Sequence, residues 1–118
     1  MRIVVDAMGG DNAPDEIVLG AVNASRSTKD VQICLVGDEK RIRPLLPARC
    51  TVLVCHTDDY FRMDEHPGPA LRNRKQASMM VAAKMLKEGE AQAFVSAGNT
   101  GALHQVALLE IGRIKGIR

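Results

Sequence analysis

The stretch IVVDAMGGDNAP (residues 3–14) indicates how this chain folds. A short β-branched run from Ile3 to Val5 leads into a polar, glycine-rich turn, and a helical pattern from Asp15 to Ser25 follows. The run is continuously apolar, as in strands that are buried on both faces of a parallel sheet. The stretch therefore predicts the strand–turn–helix unit of an α/β fold.

The same alternation continues to the end of the sequence. Further strands are predicted at Val31–Val36, Thr51–Cys55 and Ala91–Val95, and further helices at Glu39–Leu46, Ala70–Glu88 and Thr100 to about Gly112. Gly89 is expected just past the end of the third helix, as a C′ residue. Strands and helices in this order predict a parallel-strand-rich sheet with helices on both faces.

Composition excludes several classes of protein. The 118 residues are 46% hydrophobic and 25% charged, which is typical of one soluble domain. A net charge of +2 and few aromatic side chains argue against nucleic-acid binding. The opening residues resemble no signal peptide, and no apolar run approaches the ~20 residues of a membrane span, so we expect a cytoplasmic protein. The three cysteines and three histidines lack metal-ligand spacing, so we expect no metal site and no cofactor.

Three stretches are candidates for a site, because ligands of open α/β sheets bind beyond the carboxyl ends of the strands. The first follows the first strand and contains Asp6, Gly9, Gly10 and Asp11. Paired glycines let backbone approach a ligand closely, and Asp11 or Asn12 is expected to cap the next helix. A merely structural turn explains the stretch equally well, and it is not a dinucleotide fingerprint.

The second stretch, SAGNTGA (residues 96–102), links the fourth predicted strand to a helix. The N–H groups of a helix start favour an anion, and Ser96, Asn99 and Thr100 add polar side chains beside Gly98 and Gly101. The lysine of an ATP-binding P-loop is absent. The alternative is a structural helix start with Asn99 as its N-cap.

The third stretch, RNRKQASMM (residues 72–80), is predicted to open the long helix. Arg72, Lys75 and Met79 would share one helix face, and Ser78 would add a hydroxyl. Clustered cations at a helix start oppose the dipole, which favours a bound anion, although solvated surface cations are the alternative. Together the three stretches predict a pocket for a small oxyanion without an evident covalent nucleophile; His104 is expected on the helix surface.

Two further expectations concern the surface. The acidic residues in the long loop at residues 57–69 are expected to face solvent. The last helix is apolar nearly all round, and the segment at residues 114–118 forms no predicted element, so a covering partner surface is expected.

At these stretches the sequence resembles the bacterial phosphate acyltransferases, which convert acyl-acyl-carrier-protein and inorganic phosphate into acyl-phosphate for phospholipid synthesis. The motifs shared with the family are DAMGGD (residues 6–11), Arg72 with Lys75, Ser78 and Met79, SAGNTGAL (residues 96–103) and GRIKGI (residues 112–117). Ala77 replaces a usual serine and Asn12 a common histidine, so Asn12 is given no proton-transfer role. Members of the family are much longer than this chain.

The resemblance implies that residues 1–118 are the N-terminal α/β domain of a larger two-domain protein. Its fold would be related to those of phosphate acetyltransferases and of isocitrate and isopropylmalate dehydrogenases. It also implies a homodimer, substrates acyl-acyl-carrier-protein and phosphate, and peripheral membrane association through a helical element outside this stretch. Two alternatives remain at this point: a phosphotransacetylase-type enzyme that uses acyl-CoA, and an inactive binding or dimerisation module.

Overall fold

The computed structural model describes residues 1–117. Its strands are β1 (Arg2–Asp6), β2 (Gln32–Gly37), β3 (Leu53–His56) and β4 (Ala93–Val95). Its α-helices are α1 (Asp15–Ser27), α2 (Glu39–Ile42), α3 (Ser78–Lys87) and α4 (Thr100–Val106). Each element overlaps a predicted one, and Gly89 follows α3 with a φ of +79°, as expected of a C′ glycine.

The four strands form one all-parallel sheet in the order β3-β2-β1-β4, which confirms the predicted α/β class. Side chains of β2 alternate between the two faces of the sheet. Ile33 and Leu35 pack with α1 and α2, whereas Val36 packs with Val4 and with Ala82 of α3. Both faces therefore carry helices, as the sequence predicts.

The predicted helix Ala70–Glu88 is wrong in its first half. A 3₁₀ helix occupies Gly68–Asn73, and α3 begins only at Ser78. The intervening backbone pairs with the 57–59 segment instead: the Ser78 amide donates to the Asp59 carbonyl (2.9 Å), and the Thr57 hydroxyl donates to the Gln76 carbonyl. Arg72 and Lys75 consequently precede α3 and do not share one of its faces with Met79.

Two other helices differ from their predicted form. The helix predicted at Glu39–Leu46 is α-helical only to Ile42 and then tightens into a 3₁₀ turn, since proline at position 44 cannot donate a helical hydrogen bond. The helix predicted from Thr100 to about Gly112 continues after α4 as a π-helix over Ala107–Ile111. This helix ends at Gly112, whose φ is +82°.

The apolar surface expected at the chain's last helix is present. Leu108, Leu109 and Ile111 are 37%, 37% and 45% exposed, and Ile114 is 80% exposed. No described residue covers them fully. The prediction about the segment at residues 114–118 includes Arg118, which lies outside the described residues.

Candidate functional site

The candidate site lies where β1 and β4 end side by side. The two strands pair in parallel, with Val5 opposite Val95, so Asp6 and Ser96 leave the sheet at the same edge. The helix after β1 packs on one face of the sheet, whereas α4 packs with α3 on the other. Connections that diverge in this way open a crevice at the strand ends, which is where parallel α/β sheets bind ligands.

Asp6 is the charged centre of this crevice. It is only 2% exposed, and its Oδ1 accepts hydrogen bonds from the Ser78 hydroxyl (2.5 Å) and the Met8 amide (3.1 Å). Its Oδ2 accepts from the Ser96 hydroxyl (3.1 Å). Burial raises the pKa of the Asp6 carboxyl, while these hydrogen bonds and one from the Gly9 amide oppose the rise. One carboxyl thus joins all three predicted stretches.

The two glycine loops touch next to this carboxyl. A Cβ on Gly9 would lie 2.5 Å from Asp6 Oδ2 and 2.9 Å from the Gly98 Cα. A Cβ on Gly98 would lie 3.0 Å from the Met79 Cε and 3.2 Å from the Gly9 Cα. Close packing therefore excludes a Cβ at Gly9, and at Gly98 a Cβ would require its neighbours to shift by a few tenths of an ångström. The sequence pattern suggested this close approach only in general terms.

The loop after β4 is held by its own side chains. The Asn99 Oδ1 accepts from the Ala102 amide (3.2 Å), which confirms the N-cap expected for α4. The Asn99 amide also donates to the carbonyls of Arg62 (3.1 Å) and Glu65 (2.5 Å). The Ser96 hydroxyl accepts from the Gly98 amide (3.1 Å), whereas Thr100 and Gly101 are exposed.

The helix cap expected at Asp11 or Asn12 is wrong. Pro14 occupies the N-cap position of α1 and no side chain caps that helix. Asn12 contributes its backbone carbonyl, which accepts from the Glu16 amide (3.0 Å). Asp11 is exposed, and Gly10 adopts a φ of +136°, which strongly favours glycine.

The two predicted cations line a groove that the glycine loops do not line. Arg72 and Lys75 are exposed and line one open groove together with Met80, Val81 and Lys84. Glu110 also lines this groove, but none of the residues of the two glycine loops does. The structure therefore joins Asp6, Gly9, Ser78, Ser96 and Gly98, and it places Arg72 and Lys75 in a neighbouring surface feature.

Arg74 has a role that was not predicted from the sequence, because it contacts the loop at residues 57–69. It pairs with Asp59 (2.7 Å) and with Glu65, donates to the Tyr60 carbonyl (2.7 Å), and lies 4.5 Å from the centre of the Phe61 ring. The solvated role expected for the acidic loop is thus wrong for Asp59 and Glu65. The available signal was the short sequence distance between the acidic residues of the loop at residues 57–69 and the cations at residues 72–75.

Other findings concern metals and membranes. Within residues 1–117, no group of three or more His, Cys, Asp or Glu side chains is arranged to hold a metal ion. The three cysteines are free thiols, and His104 is exposed on α4. Over the same residues, no helix has the length and apolarity needed to cross a membrane.

Comparison with known proteins decides the family. Residues 1–118 match the family model described as "Fatty acid synthesis protein". The chain belongs to this family. It is also similar to curated proteins named phosphate acyltransferase, which agrees with the resemblance seen in the motifs.

Three of these relatives illustrate the similarity. The protein of Listeria monocytogenes serotype 4a (strain HCC23) is 52% identical over 117 residues, which are 99% of this chain and 35% of the relative. Those of Geobacillus sp. (strain WCH70) and Streptococcus uberis (strain ATCC BAA-854 / 0140J) are 50% and 48% identical, over 99% and 98% of this chain. The chain spans about a third of the length of these relatives, 35–36%.

Proposed function

We propose that this chain is the N-terminal α/β domain of a phosphate acyltransferase that transfers a fatty acyl group from acyl-acyl-carrier-protein to inorganic phosphate. The observation that carries the proposal is the 52% identity to a protein named phosphate acyltransferase along 99% of the chain. The crevice at the ends of β1 and β4 supports it, because three of the four stretches that carry the family motifs meet there.

In the proposed reaction, a phosphate oxygen attacks the thioester carbonyl. A carbon–oxygen bond forms, the carbon–sulfur bond breaks, and the carrier leaves as a thiolate that takes a proton. Positioning the two reactants can supply about 7–11 kcal/mol of the barrier at best, so a covalent enzyme intermediate is not required. Arg72 and Lys75 would orient phosphate through charge-assisted contacts, and donors at residues 98–101 would face phosphate or the developing oxyanion.

Further parts of the proposal follow from the family resemblance. The whole protein would have two domains, in a fold related to those of phosphate acetyltransferases and isocitrate dehydrogenases. It would be a cytoplasmic homodimer with a cleft between its domains, and would associate peripherally with the membrane through a region outside these residues. Small-angle scattering of the protein at its native length tests the two-domain dimer.

Lys75 provides a direct test of the phosphate site. Lys75→Ala is expected to raise the phosphate KM by about 10–100-fold, because a hydrogen bond to a charged group contributes about 1.5–3 kcal/mol. The measurement is phosphate-dependent release of carrier from acyl-acyl-carrier-protein by the protein at its native length. Lys40→Ala, an exposed lysine of α2, is the matched control and should keep the wild-type KM.

The outcomes separate the candidate functions. An unchanged phosphate KM in Lys75→Ala would remove that residue from the site. Faster reaction with acyl-CoA than with the acyl carrier protein would favour the phosphotransacetylase-type enzyme. A stably folded wild-type protein that releases no carrier in either assay would favour the binding module.

A further inference from the structure

We propose that Asp6 is a positioning residue: its buried carboxylate accepts the one hydrogen bond that each of the Ser78 and Ser96 hydroxyls can donate. Both serines therefore shape the site, and neither donates to the substrate. The kinetic part of this inference rests on the proposed acyl transfer to phosphate. Its structural part concerns only contacts within residues 1–117.

The hydroxyl protons of Ser78 and Ser96 are both directed at Asp6. A serine hydroxyl has one proton to donate, whereas an ionised carboxylate only accepts. Ser78 donates to Asp6 Oδ1 at 2.5 Å, and Ser96 donates to Asp6 Oδ2 at 3.1 Å. Neither serine therefore has a proton left for phosphate. One of the two lone pairs of the Ser96 oxygen is also used, since that oxygen accepts from the Gly98 amide.

The buried charge of Asp6 depends on these hydrogen bonds for its stability. Asp6 is 2% exposed, and no ion pair joins it to a cation in the part of the chain that the structure describes. Burying an unpaired carboxylate is unfavourable unless hydrogen bonds compensate it. The 2.5 Å contact with Ser78 falls in the range of charge-assisted O–H···O⁻ bonds. A costly group that ties three separate segments together is well suited to fix their relative positions.

Several of the predicted hydrogen-bond donors are already used within the protein, which limits those left for a substrate. Both amide hydrogens of Asn99 are directed to backbone carbonyls, of Arg62 and Glu65. Of the predicted site residues whose side chains can donate a hydrogen bond, Thr100, Arg72 and Lys75 are exposed. The Asp6 cluster, defined as Asp6, Ser78 and Ser96, would then not contact the substrate. Its role would be to hold Gly9 against Gly98.

The test compares single and double variants with phosphate as the varied substrate. Ser78→Ala, Ser96→Ala and Asp6→Asn are each expected to lower kcat/KM for phosphate by about 10–100-fold, as lost hydrogen bonds to a charged group do. The Ser78→Ala/Ser96→Ala double variant should lose little more than the worse single variant, because the residues act as a unit. Ser96→Thr, which keeps the hydroxyl, should restore activity, and Ser25→Ala on α1 is the distant control.

Amide hydrogen exchange gives a readout that does not need catalysis. In Asp6→Asn, the amides of residues 8–10 and 97–99 should exchange faster, while the amides of β2 keep their protection. This pattern supports the inference even if the wild-type protein shows no phosphate-dependent acyl transfer, a result that would reject the proposed function alone.

Two results would overturn the inference. If the losses of Ser78→Ala and Ser96→Ala multiply in the double variant while Asp6→Asn stays close to wild type, the serines contact substrate independently. If hydrogen exchange in both loops is unchanged in Asp6→Asn, the carboxylate does not hold them.

Discussion

At the scale of single residues, the contact between Gly9 and Gly98 leaves no space for a methyl group. Gly9→Ala would place a Cβ 2.5 Å from Asp6 Oδ2 and 2.9 Å from the Gly98 Cα. Backbone atoms cannot move aside as a flexible side chain does, so we expect a loss of about 1–3 kcal/mol in the free energy of unfolding. Urea denaturation measures this loss.

Gly20→Ala is the matched control for that experiment. Gly20 lies within α1 and is exposed, and apart from its own helix backbone no atom of the described residues lies within 4 Å of an added Cβ. Alanine is favoured over glycine inside a helix by up to about 1 kcal/mol, so this variant should be more stable than wild type. If both alanine variants were equally destabilised, the close packing at Gly9 would not be the cause.

The burial of the Asp6 carboxyl predicts how the free energy of unfolding depends on pH. Burial raises its pKa in the folded protein above its ordinary value, so the native state binds this proton more tightly than the unfolded state does. The contribution of Asp6 to the free energy of unfolding is therefore full below its unfolded pKa and is lost as pH rises through its folded pKa. Asn does not titrate, so the free energy of unfolding of wild type minus that of Asp6→Asn should fall as pH rises from about 4.

Urea unfolding of both proteins between about pH 4 and pH 8 checks this sign. A difference that grows with pH would mean that hydrogen bonds to the carboxylate outweigh its burial. The folded pKa of Asp6 would then lie below its ordinary value.

At the scale of elements, Arg74 fixes the long loop to the start of α3. It contacts Asp59, Tyr60, Phe61 and Glu65 together, and its side chain is 27% exposed. Arg74→Ala should lower the free energy of unfolding by about 1–3 kcal/mol, because it leaves charged partners unpaired. Limited proteolysis should also cut the loop at residues 57–69 faster.

Arg43→Ala is the control for Arg74. Among the described residues Arg43 forms an ion pair with Glu39 alone, one turn away, and its side chain is 61% exposed. Exposed pairs contribute about 0–1 kcal/mol, so its removal should leave stability almost unchanged. Equal effects of the two variants would contradict the anchoring role of Arg74.

The sequence predicts those elements whose signals are local. The apolar runs of β1 and β2 and the pattern of α1 are visible within a few residues, and the structure confirms them. The backbone at residues 74–77 could not be predicted in the same way. Its helical pattern is overridden by pairing with the distant 57–59 segment, where Ala77 bridges to Asp59.

The candidate site shows the same division. Glycines and polar residues after β1 and β4 mark the crevice from sequence alone, because strand ends of a parallel sheet share one edge. The inward direction of the serines is not visible in sequence, since Ser78 and Ser96 contact a carboxyl that lies 72 and 90 residues away. The placement of Arg72 and Lys75 in a separate groove depends on the missing helical turn before Ser78.

At the scale of the whole molecule, strand order determines where chemistry can occur. The order β3-β2-β1-β4 makes β1 and β4 neighbours, although 86 residues lie between the end of β1 at Asp6 and the start of β4 at Ala93. The apolar side chains of Leu108, Leu109 and Ile111 remain exposed on the same molecule. A surface of this kind is consistent with burial against further structure in the longer proteins that this chain resembles.

The proposed function requires that the protein at its native length makes acyl-phosphate. The most direct test incubates acyl-acyl-carrier-protein with the protein at its native length, counts the released thiol, removes the remaining carrier protein, and only then converts the product to its hydroxamate with hydroxylamine. We expect one hydroxamate for each carrier thiol released, and both to require inorganic phosphate. Release of the carrier thiol without phosphate, or no release in the presence of the correctly folded protein, would contradict the proposed function.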